Sequence, residues 1–311
     1  MTTFIRATEV WTPTRERDAL ELHSGAYGTL DRLSKVSSAL IFPYGEGLPG
    51  RAWAARSPII LKEFTRDDFI RVDEAHAAGI TAAVALPVFA GEFLQAVLVF
   101  LCGDSDALAG AIEVWRGDYL DELSLVDGYY GGLQEFESLS RHIKFQRGRG
   151  LPGIVWKSGR PEFMIDLGSN STSFLRARSA TQVGIRAAVG IPFYCGVELD
   201  TIVTFLSSRS TPIARRFEMW CPDDAREALV FEAGIDADRQ VTLPRDPSRR
   251  ISRGQGVIGG VWRTGVPCIA LDPERERLAA IRAASQTQCD SLLAIPIIHR
   301  GILRSVMALY N

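Results

Sequence analysis

The sequence contains the segment Gly148-Arg149-Gly150-Leu151-Pro152-Gly153-Ile154-Val155-Trp156, and two variants of it occur elsewhere in the chain. The first variant is Gly45-Glu46-Gly47-Leu48-Pro49-Gly50-Arg51-Ala52-Trp53, and the last is Gly254-Gln255-Gly256-Val257-Ile258-Gly259-Gly260-Val261-Trp262. The glycines permit a tight turn, and a tryptophan follows them in each segment. We therefore expect a short helix whose tryptophan packs on a sheet.

The glycine spacing also matches G-x-G-x-x-G, the fingerprint of dinucleotide-binding domains. That fingerprint opens a full crossover helix between parallel strands, and such a connection needs about a dozen residues. Here only residues 51–56 separate the last glycine from the break at Ser57-Pro58, and Gly159 and Gly265 interrupt the other two segments as early. We therefore interpret these glycines as structural rather than as part of a nucleotide site.

Other residues repeat with the same period. Trp11, Trp115 and Trp220 each follow a glutamate by two positions and are separated by 104 and 105 residues. Prolines at positions 87, 192 and 296 are separated by 105 and 104 residues. A period this long is typical of a domain rather than of a solenoid unit. The sequence therefore predicts three domains, which we call copy one (residues 1–105), copy two (residues 106–209) and copy three (residues 210–311).

Apolar runs separated by turn residues predict the elements of each copy. In copy one we expect strands at residues 5–11, 19–22 and 39–42, an extended segment at 59–61, a helix at 67–78, and two final strands at 82–89 and 95–101. A short turn around Gly91 joins the last pair, which is typical of a hairpin. Strands joined by short turns make an antiparallel sheet that the intervening helices cover, so the predicted class is α+β.

Each copy resembles a GAF domain. The resemblance rests on the motif G-x-G-L-P-G-x-x-W-x-x-x-x-P, on F-x-R-x-x-x-A-x-x-x-G after it, and on A-x-P before the final hairpin. The middle motif is Phe69, Arg71, Ala75 and Gly79 in copy one, Phe174, Arg176, Ala180 and Gly184 in copy two, and the divergent set Leu278, Ala280, Ala284 and Gln288 in copy three. The resemblance implies three tandem GAF-like domains, each a central antiparallel sheet of about six strands flanked by helices on both sides.

The resemblance also implies that a small molecule binds between the sheet and its covering helices. We predict ligand contacts for six residues of copies one and two: Phe69, Arg71, Phe174, Arg176, Tyr194 and Cys195. The two phenylalanines have helical spacing from apolar neighbours, which favours core packing as their alternative role. The two arginines either reach a ligand anion or pair with an acidic group such as Asp67. Copy three lacks both motif residues, so we expect no ligand there.

Catalysis and metal binding are not expected. The five cysteines are dispersed along the chain, so neither a disulfide framework nor a zinc site is predicted. The clustered thiols of sulfoxide-reducing GAF relatives are missing, and no cysteine precedes a histidine as in bilin-binding relatives. An iron site of the kind found in other relatives would draw on Asp166, Arg176 and Cys195, but only their spacing suggests it. The sequence thus predicts no catalytic residue and no metal, and it identifies no cofactor.

Charge and hydropathy limit the partners. The net charge of −2 creates no field that would attract nucleic acid or an anionic membrane. No apolar run reaches the ~20 residues of a membrane-spanning helix, and residues 1–11 do not resemble a signal peptide. We therefore predict a cytoplasmic protein that binds neither nucleic acid nor membrane.

The predicted function is regulatory and non-enzymatic. On this hypothesis the protein binds an unidentified small molecule in a GAF pocket and signals through a protein partner that carries the effector function. A scaffold with closed pockets, in which the domains serve only as interaction surfaces, is the main alternative, and a sulfoxide reductase is a third. A cavity of several hundred Å³ inside copy one or two would favour the sensor.

Overall fold

The computed structural model describes residues 4–103, 110–118, 121–168, 174–194, 199–208, 211–271 and 289–311. Within these ranges the strands form three sheets, one from each predicted copy. No helix in the described part of the chain combines the length and the apolar character needed to span a membrane. Cys195 and the divergent motif of copy three (Leu278, Ala280, Ala284 and Gln288) lie outside the described residues.

The helices and strands follow one another in a similar order in each copy. Copy one comprises β1 (Ile5–Pro13), β2 (Ala19–Ala26), α1 (Asp31–Ser38), β3 (Ile41–Pro43), α2 (Gly47–Ala55), β4 (Ile59–Leu61), α3 (Val72–Ala77), β5 (Ile80–Ala90) and β6 (Phe93–Gly103). Copy two comprises β7 (Gly110–Gly117), β8 (Glu122–Tyr129), α4 (Gln134–His142), β9 (Lys144–Gln146), α5 (Gly150–Ser158), β10 (Glu162–Ile165), α6 (Ala177–Gln182), β11 (Ile185–Tyr194) and β12 (Leu199–Ser208). Copy three comprises β13 (Arg216–Pro222), β14 (Ala228–Asp236), β15 (Val241–Leu243), β16 (Asp246–Ser252), α7 (Gly256–Thr264), β17 (Cys268–Leu271), β18 (Ser291–His299) and β19 (Ile302–Tyr310).

The strand order is the same in all three sheets. In copy one it is β3-β2-β1-β6-β5-β4, and copy two repeats it as β9-β8-β7-β12-β11-β10. Copy three follows it through β14-β13-β19-β18-β17, with both β15 and β16 paired to β14. Neighbouring strands are antiparallel throughout, which confirms the α+β class and is consistent with the GAF-like domains that the motifs indicate.

The helices differ from the sequence expectations in two respects. The helix expected at residues 67–78 is limited to α3, because turns occupy the residues before Val72. Helices α1 and α4 were not predicted. Both are short and polar, and each buries a serine, Ser37 or Ser140, a residue type that competes with the helix for backbone hydrogen bonds. Copy three has β15 between its second and third main strands instead of this helix.

The repeated glycine segment forms a turn followed by a short helix, as expected. Gly150 begins α5 with a positive φ of 66°, which glycine adopts without steric penalty. The backbone N–H of Gly148 donates to the carbonyl of Gly153 at 2.7 Å, so this amide is used within the chain. A Cβ on Gly153 would lie 2.1 Å from the carbonyl oxygen of Gln146. The glycine therefore lets the helix approach the preceding strand, as the structural interpretation requires.

Two adjacent glycines of α7 offer a matched test of this role. A Cβ on Gly259 would lie 2.3 Å from the carbonyl oxygen of Ser252, whereas a Cβ on Gly260 would meet nothing within 4 Å. We expect Gly259→Ala to lower the free energy of unfolding by about 1–3 kcal/mol, because the backbone must shift. Gly260→Ala should raise it by about 0.5–1 kcal/mol, since alanine favours the helix. Urea unfolding of both variants measures this, and equal effects would contradict the steric explanation.

One face of each sheet packs against the helices of its own copy. In copy one this core surrounds Trp11, with Phe42 and Leu48 beside it. Copy two builds the equivalent core around Trp115 and copy three around Trp220, and all three tryptophans are fully buried. The repeated tryptophans thus occupy the same place in each sheet.

The opposite faces of the three sheets share a single central core. This core combines buried side chains from all three copies, among them Phe4, Phe100, Phe205, Phe217 and Ile295. The rings of Phe100 and Phe205 meet edge to face across copies one and two, with centroids 5.6 Å apart. The resemblance implied helices on both faces of each sheet. In the described residues the second face instead packs on the other two sheets.

The copies follow one another around a closed ring. Strand β4 of copy one contacts β8 of copy two, β10 of copy two contacts β14 of copy three, and β17 of copy three returns to β2 of copy one. Strands β5, β11 and β18 also contact one another pairwise, with Pro87, Pro192 and Pro296 at their meeting point. The arrangement has approximate threefold symmetry. The exact domain boundaries stay a prediction.

Candidate functional site

Arg71, one of the predicted ligand contacts, lies in the core of copy one. Its guanidinium forms an ion pair with Glu9, and both side chains are almost fully buried. The Glu9 carboxylate also accepts hydrogen bonds from Trp11 Nε1 and Tyr27 Oη, each at 2.9 Å, and from Ser37 Oγ at 3.0 Å. The Glu9 carboxylate therefore occupies the place of the ligand anion that was considered for Arg71.

Copy two repeats the arginine, tryptophan, tyrosine and serine of this network, and Thr204 Oγ1 donates a further hydrogen bond to the Glu113 carboxylate at 2.7 Å. Arg176 pairs with Glu113, its Nη2 lying 2.8 Å from Oε2. Trp115 Nε1 donates to the same carboxylate at 3.0 Å, and Tyr130 Oη donates at 2.9 Å. Ser140 Oγ lies 2.6 Å from Nη1 of the arginine. Both buried charges are therefore paired, while Arg176 Nε has no hydrogen-bond partner among the described residues.

Copy three keeps the carboxylate but obtains its partners from other elements. Glu218 accepts from Trp220 Nε1 at 3.0 Å, as in the other copies. Its cations are Arg216 of β13 and Arg249 of β16, and Tyr310 of the last strand donates at 3.1 Å. The buried glutamate is thus common to all three copies, whereas the arginine and tyrosine are not.

These glutamates make stability depend on pH. Burial alone would raise the pKa of Glu9, Glu113 and Glu218, but the neighbouring guanidinium groups and hydrogen bonds outweigh it and lower each pKa. A lowered pKa stabilises the folded state above the unfolded pKa of about 4.3, and this contribution is lost as the pH falls toward the folded value. We expect the free energy of unfolding to decrease below about pH 4.3.

Urea unfolding across pH 3–6 measures this dependence. For Glu113→Gln, the free energy of unfolding should fall less steeply with decreasing pH than in the unmodified protein, because one of the three buried carboxylates is gone. Glu16→Gln, at an exposed turn, is the control and should keep the original slope. An unchanged slope for Glu113→Gln would contradict the assignment.

Five of the six predicted ligand contacts lie in the described residues and separate into two groups, whereas Cys195 lies outside them. Phe69 and Phe174 are buried and pack on the guanidinium groups of Arg71 and Arg176, with ring centroids 5.0 and 5.4 Å away. The phenylalanine and arginine of each motif therefore contact one another and a buried carboxylate, and they fill the place where the ligand was expected. Tyr194 is partly buried and lines a cleft between two copies. The ligand assignment of these residues stays a prediction, and the geometry gives both arginines a structural role.

A large cleft lies between copies two and three. Its volume is about 1000 Å³. The C-terminal half of α5 and the β7–β8 turn form one wall, and the turns after β13 and β18 form the other. Tyr194 of copy two stacks on His299 of copy three with centroids 4.5 Å apart, and its hydroxyl donates to the carbonyl of Gly159 at 3.0 Å. The cleft is mostly polar.

A second cleft lies between copies three and one, at the corresponding place in the ring. Its volume is about 590 Å³, and its lining is largely apolar. Helix α7 forms one wall, and Thr12 and His23 of copy one form part of the other. Gly260 lines this cleft, where copies one and two have Arg51 and Ile154 in the equivalent helix position. The loss of a side chain at this position therefore widens the cleft.

The sequence contained one signal that the prediction did not use. A glutamate precedes each repeated tryptophan by two positions, and alternate residues of a strand face the same side, so both side chains point to the helix core. A glutamate on that face needs a cation, and the two unexplained motif arginines were the available partners. Within the described residues, no group of three His, Cys, Asp or Glu side chains is placed to hold a metal ion.

Comparisons with known proteins identify local similarity only. No family model matches the sequence, and no curated protein matches it. Free methionine-R-sulfoxide reductase from Neisseria meningitidis, solved with its substrate, is 16% identical with a TM-score of 0.25, covering 32% of this chain and 52% of that one. The second GAF domain of DevS from Mycobacterium smegmatis is 21% identical with a TM-score of 0.24, covering 32% and 62%. A GAF domain/HD domain protein from Geobacter sulfurreducens is 14% identical with a TM-score of 0.29, covering 37% and 69%.

Proposed function

We propose that the chain is a non-enzymatic regulatory protein made of three tandem GAF-like domains, and that it binds its small molecule between domains rather than inside one. The cleft of about 1000 Å³ between copies two and three carries this proposal, since its size suits a small ligand. Bound at a junction, a ligand contacts two copies at once. Binding can therefore stabilise the junction between the two copies and change the surface that they present to a partner protein.

The interior of copies one and two supports moving the site to the junction. The space between sheet and helices holds a buried ion pair and several aromatic rings, with Trp11 and Phe69 in copy one and Trp115 and Phe174 in copy two. A ligand entering there would have to displace a paired buried charge, which is strongly unfavourable. The cleft between copies requires no such displacement.

The non-enzymatic part of the proposal is supported by the lining chemistry. Among the lining residues that the structure describes, Cys221 is the thiol of the large cleft and Cys268 that of the apolar cleft. A sulfoxide reductase of the kind considered above needs several thiols around one pocket. Burial raises the pKa of Cys221 to about 11, which makes it a poor nucleophile at neutral pH.

Native mass spectrometry of freshly purified protein, followed by a metabolite screen using thermal shift, tests the function. Hydrogen exchange with the identified ligand then locates the site. We expect protection at residues 156–160 and 299–304, on the two walls of the large cleft. Protection confined to α3 or α6, beside the buried arginines, would place the ligand inside a copy and refute the proposed site.

A scaffold is the second candidate function, and the filled interiors of copies one and two favour it. On this hypothesis the ring only displays surfaces to a partner, and no small molecule is needed. The same native mass spectra distinguish the two functions. A stoichiometric complex with a second protein and without a small ligand would favour the scaffold, whereas a bound metabolite would exclude it as the sole function.

A further inference from the structure

We propose that the cleft between copies two and three binds a small anion carrying at least two negative charges, such as a phosphorylated or polycarboxylate metabolite. This inference rests on the proposed function and narrows it to one class of ligand. It is carried by the charge, the placement and the backbone conformation of the basic residues that line the cleft.

The lining of the cleft is positive although the chain as a whole is slightly negative. Six basic side chains are among the described lining residues, together with four aspartates. The basic residues are Arg147, Lys157, Arg160, Arg226, Arg300 and Arg304. Asp223, one of the four aspartates, is paired with Arg250, which lies outside the cleft lining. The net charge of the whole sequence is −2, so the positive potential is local to this junction.

Several of these cations are available to a ligand. Lys157, Arg160 and Arg300 are exposed and form no salt bridge in the part of the chain that the structure describes. The charge of Arg160 also acts on the carboxyl group of Glu162, whose pKa is raised by burial. Arg304 contacts Nδ1 of His299 at 3.4 Å, and its guanidinium forms no salt bridge with a carboxylate of the described ranges. An arginine presents five donors in a planar fork that matches phosphate and carboxylate oxygens. The arrangement therefore suits an oxyanion better than a neutral ligand.

The cations approach the cleft from both sides of the junction. Burial raises the pKa of Tyr194 in copy two, and the positive charge of Arg304 in copy three opposes this effect. Burial and the negative charge of Glu232 raise the pKa of Cys221 in copy three, and the charge of Arg160 in copy two opposes them. Each guanidinium thus acts on the neighbouring copy. A multiply charged anion in the cleft would be held by both walls at once.

Arg300 occupies a turn position at which asparagine would be more stable than arginine. Arg300 and Gly301 form the two-residue loop between β18 and β19, with φ values of 53° and 73°. Asn-Gly is the preferred pair for a loop with two positive φ angles, and a long side chain is less stable in this conformation. A residue held in this less stable conformation at the rim of a cleft is a candidate ligand contact.

The apolar cleft provides the internal contrast. It occupies the corresponding junction between copies three and one, but His23 is the titratable side chain other than Cys268 in its described lining. The basic lining is therefore a property of one junction rather than of the ring geometry. A polar anion is expected in the large cleft and excluded from the apolar one.

Isothermal titration with sodium pyrophosphate and with sodium citrate, at constant ionic strength, tests the inference. We expect at least one of the two to bind, and their relative affinity tells phosphate from carboxylate recognition. Arg300→Asn removes the cation and improves the turn, so it should keep or raise the melting temperature while weakening binding about tenfold. Arg160→Gln, on the opposite wall, should weaken binding to a similar extent.

Arg17→Asn is the matched control. Arg17 also has a positive φ, 60°, and is exposed, but it does not line this cleft. Its substitution should leave the affinity within about twofold, since it removes the same charge elsewhere. Equal losses in Arg17→Asn and Arg300→Asn would show unspecific charge attraction and overturn the inference. Failure of both probes to bind would also overturn it, while a neutral ligand from the metabolite screen would leave the proposed function intact.

Discussion

Arg176→Met should lower the free energy of unfolding by about 3–5 kcal/mol, because it leaves the Glu113 carboxylate buried without its cation. Methionine replaces the aliphatic stem of arginine and is flexible enough to fill part of the space left by the guanidinium, so the loss comes mainly from the unpaired carboxylate. Chemical unfolding at pH 7 measures it. The result would assign Arg176 to the fold and not to a ligand.

Arg178→Met supplies the control for this variant. Arg178 lies two residues further on, in α6, and its side chain is exposed, so we expect its substitution to change stability by less than about 0.5 kcal/mol. The double variant Glu113→Leu with Arg176→Met should recover much of the loss, since neither buried charge remains. An unchanged stability for Arg176→Met would restore the ligand hypothesis for this residue.

Phe205→Ala should destabilise the whole chain by about 3–5 kcal/mol and leave a single unfolding transition. Phe205 is buried in the central core and meets Phe100 of copy one, so its loss creates a cavity between copies. Because the same core includes side chains of all three copies, we expect them to unfold together. Differential scanning calorimetry measures both the shift and the number of transitions.

The exposed side chain of Val126, on β8 of the same sheet, provides the matched surface control. Val126→Ala should change the free energy of unfolding by less than about 0.5 kcal/mol. Three separate transitions, of which Phe205→Ala shifts only one, would show that the copies fold independently and that the shared core contributes little to their stability.

Much of the fold was predictable because each copy carries the same local constraints. The glycines of the turn need positive φ or close backbone approach, and the repeated tryptophans fill the same core position, so their spacing in sequence reports the repeat directly. The final hairpin of copy one was also correctly placed, since Gly91 lies in its two-residue loop. Turns and hairpins depend on residues that are close in sequence, so a sequence pattern is enough to predict them.

The partner of each core arginine was not predictable by the same means. Glu9 and Arg71 are 62 residues apart and meet only after the sheet has formed. The sequence therefore left a ligand anion and an acidic group such as Asp67 as the alternatives for Arg71, although the glutamate two residues before each tryptophan was visible. In copy three the cation comes from β13 and β16, so even an exact repeat pattern would have pointed to the wrong residues.

The sequence also contains a sign of the central core, but hydrophobic periodicity alone does not show what the strands pack against. Strands β5 and β6 are buried along almost their full length on both faces, and they read as nearly continuous apolar runs. Such runs indicate burial on two sides, but they do not say what provides the second cover. A covering helix and a neighbouring sheet would both bury the second face of the strands. The packing of the three sheets around the central core shows that neighbouring sheets cover it.

Because one polypeptide forms the ring, each of its junctions changes independently. In a ring of three identical subunits, a single substitution alters every junction, and a site that suits an anion must appear three times. Here the junction of copies one and two is bridged by Lys62, whose Nζ lies 3.0 Å from Asp127, while the next is basic and the third apolar. A single chain with three unequal copies can therefore carry a different chemical character at each junction.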